Sequence, residues 1–298
     1  MDPLEAARTE VMRDFAQGDG DALFAKYDEG MRGLGLPSTR EFAGGARDAG
    51  PFVVDEVVST TMTSRDWQLT SHAGTFLLSL ALAKDGRISM LWLRPKPPEP
   101  PVASSTVPLR LPFDGQWFVE WGGATKEANK HVVDPNERRA SDLLVVENGK
   151  SHRGDGKERA DYYAYGRPVV AVADAEVVTV LDGLYEAEPG HPNPYSGVGN
   201  MILLKLTPEL YAMYAHLQPG SMRVRPGDHV SAGQPLALCG NAGNSTEPHL
   251  HFQLQDGPHL ETSYGVEPVF TRVRVTRGTK TELIERYTFS KDDLIEQP

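Results

Sequence analysis

The chain has a single cysteine, Cys239, among 298 residues, so neither an intramolecular disulfide nor a thiolate zinc cluster is open to it. Positive charge is scarce: 30 Lys and Arg stand against 41 Asp and Glu, a formal net charge of -11. A sequence-independent phosphate-binding surface needs clustered basic side chains, so no nucleic-acid partner is expected. Long apolar runs are missing as well. The longest, near "TFLLSLALA" from Thr75 to Ala83, falls far short of the roughly 20 residues that cross a bilayer, so no membrane span is expected. The opening "MDPLEAARTE" lacks the basic-then-apolar pattern of a secretory signal.

Turn chemistry is plentiful instead. With 29 Gly, 23 Pro and a 39% apolar share, the composition suits a globular, turn-rich and β-rich protein. Proline concentrates in "RPKPPEPPVASSTVP", six in the fifteen residues from Arg94 to Pro108. Fixed φ and missing amide donors make such a stretch an extended spacer, so residues 95–108 are expected to link two domains.

Before the spacer, residues 1–94 change period part-way. Leu4, Ala7, Val11 and Phe15 recur at helical spacing, and "GDGDALFAKYDEGM" restarts a helix after a Gly-rich break. A third short helix is expected after Pro37, capped by Ser38 or Thr39. Then "FVVDEVVSTTMTS", "WQLTSHAGTFLLSLALA" and "ISMLWLRP" read as strands, with "AKDGR" as a hairpin turn and "SRDWQLTSHAG" as sheet surface. Helices followed by an antiparallel sheet predict an α+β domain. Its element order and closing "DGRISMLWLRP" resemble the cone-shaped NTF2-like domains. It offers no catalytic constellation; a spacer, substrate-positioning or protein-partner-binding role is expected of it.

Residues 109–298 read as all-β, a sandwich or barrel-sandwich hybrid. "PVVAVADAEVVTVL", "NMILLKL", "YAMYAHL", "HVSAGQPLALCG", "HLHFQL" and "VFTRVRV" are short strands separated by Gly and Asn. In "EPHLHFQLQD" the strand period puts His249, His251 and Gln253 on one face and Leu250, Phe252 and Leu254 on the other. Any half-exposed strand has one polar and one apolar face, so the pair of histidines alone does not make a metal site. Upstream, "LCGNAGNSTEPHLHFQ" packs Gly and Asn at the mouth of this strand, and "MYAHLQPG" puts His216 at the end of another.

Taken in order, these motifs resemble the second half of the M23 (lysostaphin/LytM-like) zinc metallopeptidases. The matching pieces are Tyr214 with His216, "VRPGDHVSAGQ", "GNAGNS", His249 with His251, and the strand "GRPVVAVADAEVV". The resemblance implies a Zn2+ ion with three protein ligands and an open position for water. It implies His251 as a ligand, His249 as general base, and His216 as a group that stabilises the oxyanion or orients the substrate.

The family's first motif, His-x-x-x-Asp, has no counterpart. Asp142 precedes an apolar strand in "ERRASDLLVV", but Arg138 stands four residues before it, and arginine has no lone pair to donate. The nearest upstream histidine is His131, eleven residues before Asp142. By resemblance to a subgroup with an Asn-x-His segment, His131, Asp142 and His251 form the expected metal triad. A loop of that length closes at modest entropic cost. The rival first ligand, His152, lies in a charged, Gly-rich insertion that reads as solvated loop. His72, His191, His229 and His259 read as structural or surface residues, and Cys239 as a small buried hydrophobe.

The implied activity is zinc-dependent endopeptidase action on peptide cross-links of bacterial peptidoglycan, or on a similarly small-residue-rich peptide. The natural setting is then extracellular, periplasmic or in the cell envelope. Two other readings stand beside it. A non-catalytic cell-wall-binding or hydrolase-activator module would explain the missing His-x-x-x-Asp. A phosphocarrier domain would need paired histidines without a carboxylate ligand, and Asp142 argues against it.

Overall fold

A computed structural model describes residues 2–96, 100–193 and 196–298. The chain divides into two compact units, Met1–Glu99 and Pro100–Pro298, and each closes a separate apolar core.

In the first unit, α1 (Pro3–Gln17) starts where Asp2 Oδ1 accepts from the Leu4 amide and Pro3 takes the first helical position. Gly18, at a φ of 65°, ends it in the left-handed region. After α2 (Gly20–Ala25) and α3 (Glu29–Arg32) comes α4 (Leu36–Ala49), longer than expected and beginning one residue before Pro37. Gly35 caps it without a side chain, and Thr39 donates its hydroxyl to the Gly35 carbonyl from within the first turn. The expected Ser38 or Thr39 cap does not form, because Pro37 is accommodated inside the first turn where no amide is missed.

Four antiparallel strands follow in sheet order: β1 (Val53–Thr60), β2 (Ser64–Ser71), β3 (Gly74–Leu82) and β4 (Ile88–Pro95). The run expected from Trp67 to Ala83 is broken by a two-residue turn at His72 and Ala73, closed by the Ser71–Gly74 pair. Trp67 is not surface. It is buried, its indole Nε1 donates to Glu5 Oε1 at 3.1 Å, and it joins Leu69, Leu78 and Leu80 against Val11 and Phe15 of α1.

The second unit consists of β5 (Gln116–Trp121), β6 (Ser141–Leu144), β7 (Pro168–Val170), β8 (Ala175–Leu181), β9 (Met201–Thr207), β10 (Leu210–Ala215), β11 (His229–Val230), β12 (Pro235–Leu238), β13 (Leu250–Gln255), β14 (Gly265–Val266), β15 (Phe270–Arg277), β16 (Lys280–Tyr287) and β17 (Leu294–Glu296). Its helical content among the described residues is limited to short 3-10 turns. The main sheet is antiparallel throughout, in the order β11-β8-β9-β10-β13-β6-β5-β17-β15-β16, with β14 on β13. The pair β12-β7 lies across one face of it. Val169, Leu236 and Ala237 of that pair share a core with Tyr214 of β10 and Phe252 of β13, and the Val172 amide donates to the Tyr214 hydroxyl between the layers.

The proline-rich segment, expected as an extended spacer over residues 95–108, is for much of its length hydrogen-bonded to the second unit. Residues 97–99 lie outside the described residues, but from Pro100 onward the chain is bound to the second unit. The Glu267 amide donates to the Ala103 carbonyl, and the Ser105 amide to the Glu267 carbonyl. The Arg138 guanidinium donates to the Pro100, Pro101 and Gly265 carbonyls. Missing proline amides do not prevent docking, because carbonyls remain free to accept.

Candidate metal centre

Two adjacent strands bring the carboxylate and one imidazole together. In the β6–β13 ladder Asp142 is the cross-strand partner of His251, whose other neighbour is Ala215 at the end of β10. His249 stands one residue before β13. His216 follows β10 at a φ of 60°, a left-handed turn that carries its ring toward the same place. The loops behind are packed backbone on backbone: a Cβ on Gly199 would strike the Ala242 carbonyl, and one on Gly243 would strike the Gly199 amide. Gly199, together with Gly243 of "GNAGNS", therefore allows the close packing that fixes the Ala242 carbonyl on which His216 is oriented.

His131 arrives by a different route, on the excursion between β5 and β6. Asn129, fully buried, donates from Nδ2 to the Gly123 and Ala140 carbonyls and so ties the two ends of that loop together. Its Oδ1 accepts from the His131 amide and caps a short 3-10 turn, Lys130–Val133. The ring of His131 then stands 4.8 Å from that of His251, edge to face.

The hydrogen-bond partners fix which ring nitrogen of each histidine holds a proton. His249 Nδ1 donates to the Glu247 carbonyl at 2.8 Å, and His216 Nδ1 to the Ala242 carbonyl at 2.7 Å. His251 Nε2 donates to Gln253 Oε1 at 3.1 Å, because the Gln253 amide nitrogen is occupied with the Asn136 carbonyl and Gln255 Oε1. His131 Nδ1 donates to Glu137 Oε2 at 3.0 Å. In the neutral imidazoles the opposite nitrogens present lone pairs.

Those lone pairs converge on one oxygen. Asp142 Oδ1 lies 3.0 Å from His131 Nε2, 3.0 Å from His251 Nδ1 and 3.5 Å from His249 Nε2. His131 Nε2 is buried and makes no hydrogen bond there, despite its closeness to the carboxylate. Three Lewis-basic atoms within 4.8 Å of one another, from His131, Asp142 and His251, repel unless a positive charge sits among them. The two-nitrogen, one-oxygen set thus fits a divalent cation, with room for more ligands on the cleft side. Lys130 Nζ, 2.7 Å from Asp142 Oδ2, occupies the other carboxylate oxygen and leaves Oδ1 for the cluster.

Electrostatics point the same way. Burial disfavours the charged form of His131, yet the Asp142 and Glu137 carboxylates outweigh it and hold its pKa up at about 9. Burial would also raise Asp142, but the surrounding imidazoles hold it well below the usual carboxylate range. Burial first, then the neighbouring imidazoles, pushes His216 well below its ordinary value, so it stays neutral. In the metal-free site that field favours a proton on His131 facing the Asp142 anion, the place a bound cation would take over.

The cluster floors a cleft of about 370 Å³, lined also by Lys130, Asp134, Glu137, Val198 and Asn244. The five residues singled out in the sequence meet there: His131, Asp142, His216, His249 and His251. His152 does not line it; its ring leans on Tyr162 in an exposed loop. His72, His191, His229 and His259 are absent from its walls too, and Cys239 is buried with its thiol pKa pushed far up by desolvation. Sequence reasoning gave no role to Asn129, Lys130 or Glu137, though all three flank His131 in "ANKHVVDPNE".

Residues 159–262 match peptidase family M23. The M23 segment holds His216, His249 and His251, while His131 and Asp142 precede it. A protein described as an uncharacterized metalloprotease of Haemophilus influenzae is 36% identical over 30% of this chain and 16% of its own length. The peptidoglycan DD-endopeptidase ShyB of Vibrio cholerae is 32% identical over 51% of this chain and 34% of its own. The murein hydrolase activator NlpD of Salmonella dublin is 31% identical over 40% of this chain and 28% of its own. The chain therefore spans no more than about a third of the length of these relatives. No helix among the described residues is long and apolar enough to cross a membrane.

Proposed function

We propose that the second unit is a zinc-dependent endopeptidase that cleaves peptide cross-links of bacterial peptidoglycan, outside the cytoplasmic membrane. The observation that carries this reading is the convergence of two imidazole lone pairs and one buried carboxylate oxygen, with a third imidazole alongside. His131 Nε2, Asp142 Oδ1 and His251 Nδ1 would hold the ion. Bound there, zinc supplies a Lewis acid for the scissile carbonyl and lowers the pKa of a coordinated water.

The protein's own groups do the rest. His249 Nε2 is free because Nδ1–H is spent on the Glu247 carbonyl, so it can take a proton from the attacking water and return it to the leaving amine. Ser245 Oγ, 3.0 Å from His249 Nδ1, helps hold that ring in place. His216, neutral and with its only N–H given to Ala242, presents an acceptor to the cleft. Of the two roles expected for it, orienting a substrate N–H fits this state; stabilising an oxyanion would need a donor.

The alternative is a non-catalytic activator on the same scaffold, favoured by the absent His-x-x-x-Asp and by the likeness to an activator. Elemental analysis and zinc titration, with turnover of purified peptidoglycan, separate the two. We expect one zinc per chain, no zinc and no turnover for His251→Ala, and zinc without turnover for His249→Ala. A zinc-loaded wild type that releases no peptide would favour the activator, and a chain that takes up no zinc would sink the metalloenzyme. The first unit, with its NTF2-like element order, would position the enzyme on a partner or on the wall.

A further inference from the structure

We infer that Glu137 is the positioning residue that makes His131 a metal ligand in a chain without His-x-x-x-Asp; the inference rests on the zinc reading above. Four observations on this loop carry it. Glu137 Oε2 accepts from His131 Nδ1 at 3.0 Å, with no second acceptor for that nitrogen among the described residues. With Nδ1–H held, Nε2 is the nitrogen turned toward Asp142 Oδ1, 3.0 Å away, and so the one available to a metal. The Glu137 amide donates to the Asp134 carbonyl, and the Asp134 amide to the His131 carbonyl, so the seven residues from ligand to carboxylate form one wound turn. The loop is anchored outside the site as well, by Gly265 N to the Pro135 carbonyl and Gln253 Nε2 to the Asn136 carbonyl.

A carboxylate on the far nitrogen of a ligating imidazole sets its tautomer and raises its basicity, and removing such a group typically weakens metal binding by about 10–100-fold. Here it does more. His131 sits on a loop, whereas Asp142 and His251 are locked in a ladder. Without Glu137 the ring is free to carry its proton on Nε2 and turn its lone pair away from the cluster.

The test is zinc affinity by competition with a chromophoric chelator, alongside thermal unfolding of the metal-free protein and nitrogen NMR of the zinc-loaded protein. Glu137→Ala should weaken zinc about 10–100-fold. The same variant should leave metal-free unfolding nearly unchanged and bring a protonated Nε2 into the His131 signal. Glu137→Gln, which keeps an acceptor oxygen, should recover most of the affinity. Wild-type affinity in Glu137→Ala overturns the inference and leaves the zinc reading intact. So does a Glu137→Gln as weak as Glu137→Ala with both metal-free proteins destabilised, since that marks a purely structural role. A wild type that binds no zinc overturns both.

Discussion

Arg138 brings a full positive charge into a pocket of carbonyls. Nη1 donates to Pro100 at 2.8 Å, Nε to Gly265 at 3.0 Å, and the guanidinium stacks over Tyr264. Replacing it with methionine keeps the stem and removes the donors, and stranding buried acceptors costs about 1–3 kcal/mol each where water cannot reach them. Arg138→Met should therefore lower the denaturation midpoint by a free energy of about 2–3 kcal/mol and expose residues 100–105 to proteolysis. Zinc stoichiometry should stay at the wild-type value, measured by titration. The Arg138 side chain clamps the incoming segment and does not line the cleft. At this scale the sequence was legible wherever a rule of spacing applied. Strand alternation puts His249 and His251 on one face, but their roles, like that of Asp142 before its apolar strand, are implied by resemblance. His131 could be reached only through resemblance. Glu137 and Lys130 could not be reached at all, because a seven-residue wound turn between two strands has no period to reveal which side chains face each other.

β13 is buried on both faces, from Leu250 to Gln255. One face packs Leu250, Phe252 and Leu254 into the core. The other, which brings His251 to the cleft, continues as a chain of side-chain hydrogen bonds: His251 Nε2 to Gln253 Oε1, Gln253 Nε2 to Gln255 Oε1, and Gln255 Nε2 to the Gly257 carbonyl. Each donor finds an acceptor along the strand, which is how polar groups survive burial there. Gln253→Leu would cut this chain in the middle, leaving His251 Nε2–H without an acceptor and Gln255 Oε1 and the Asn136 carbonyl without a donor. The expected cost is about 1–3 kcal/mol of stability in chemical denaturation. Zinc affinity should fall by about 10–100-fold in chelator competition, because the His251 tautomer is no longer held. Elements with a clean period were legible. The ones that were not, the break at His72 and the start of α4 at Leu36, turn on a two-residue loop lacking the usual Asn-Gly signal and on a glycine acting as a bare cap.

At the scale of the whole chain, the two cores share no residue. Leu78, Leu80, Trp67 and Val11 belong to the first; Phe252, Tyr214, Leu204 and Val169 belong to the second, which alone holds the cleft. Two cores of this kind unfold as two cooperative transitions, each sensitive to its own packing. Leu78 is completely buried between Trp67 and Leu93 on its sheet, so Leu78→Ala leaves a cavity and should cost about 2–5 kcal/mol. In calorimetry of the full chain that loss should appear as a downward shift of one transition only. Saturating zinc should raise the other transition, by mass action on the folded second unit, and by the same amount in wild type and variant. If Leu78→Ala moved both transitions, or weakened zinc binding, the first unit would be a structural part of the metal centre rather than a separately folded neighbour.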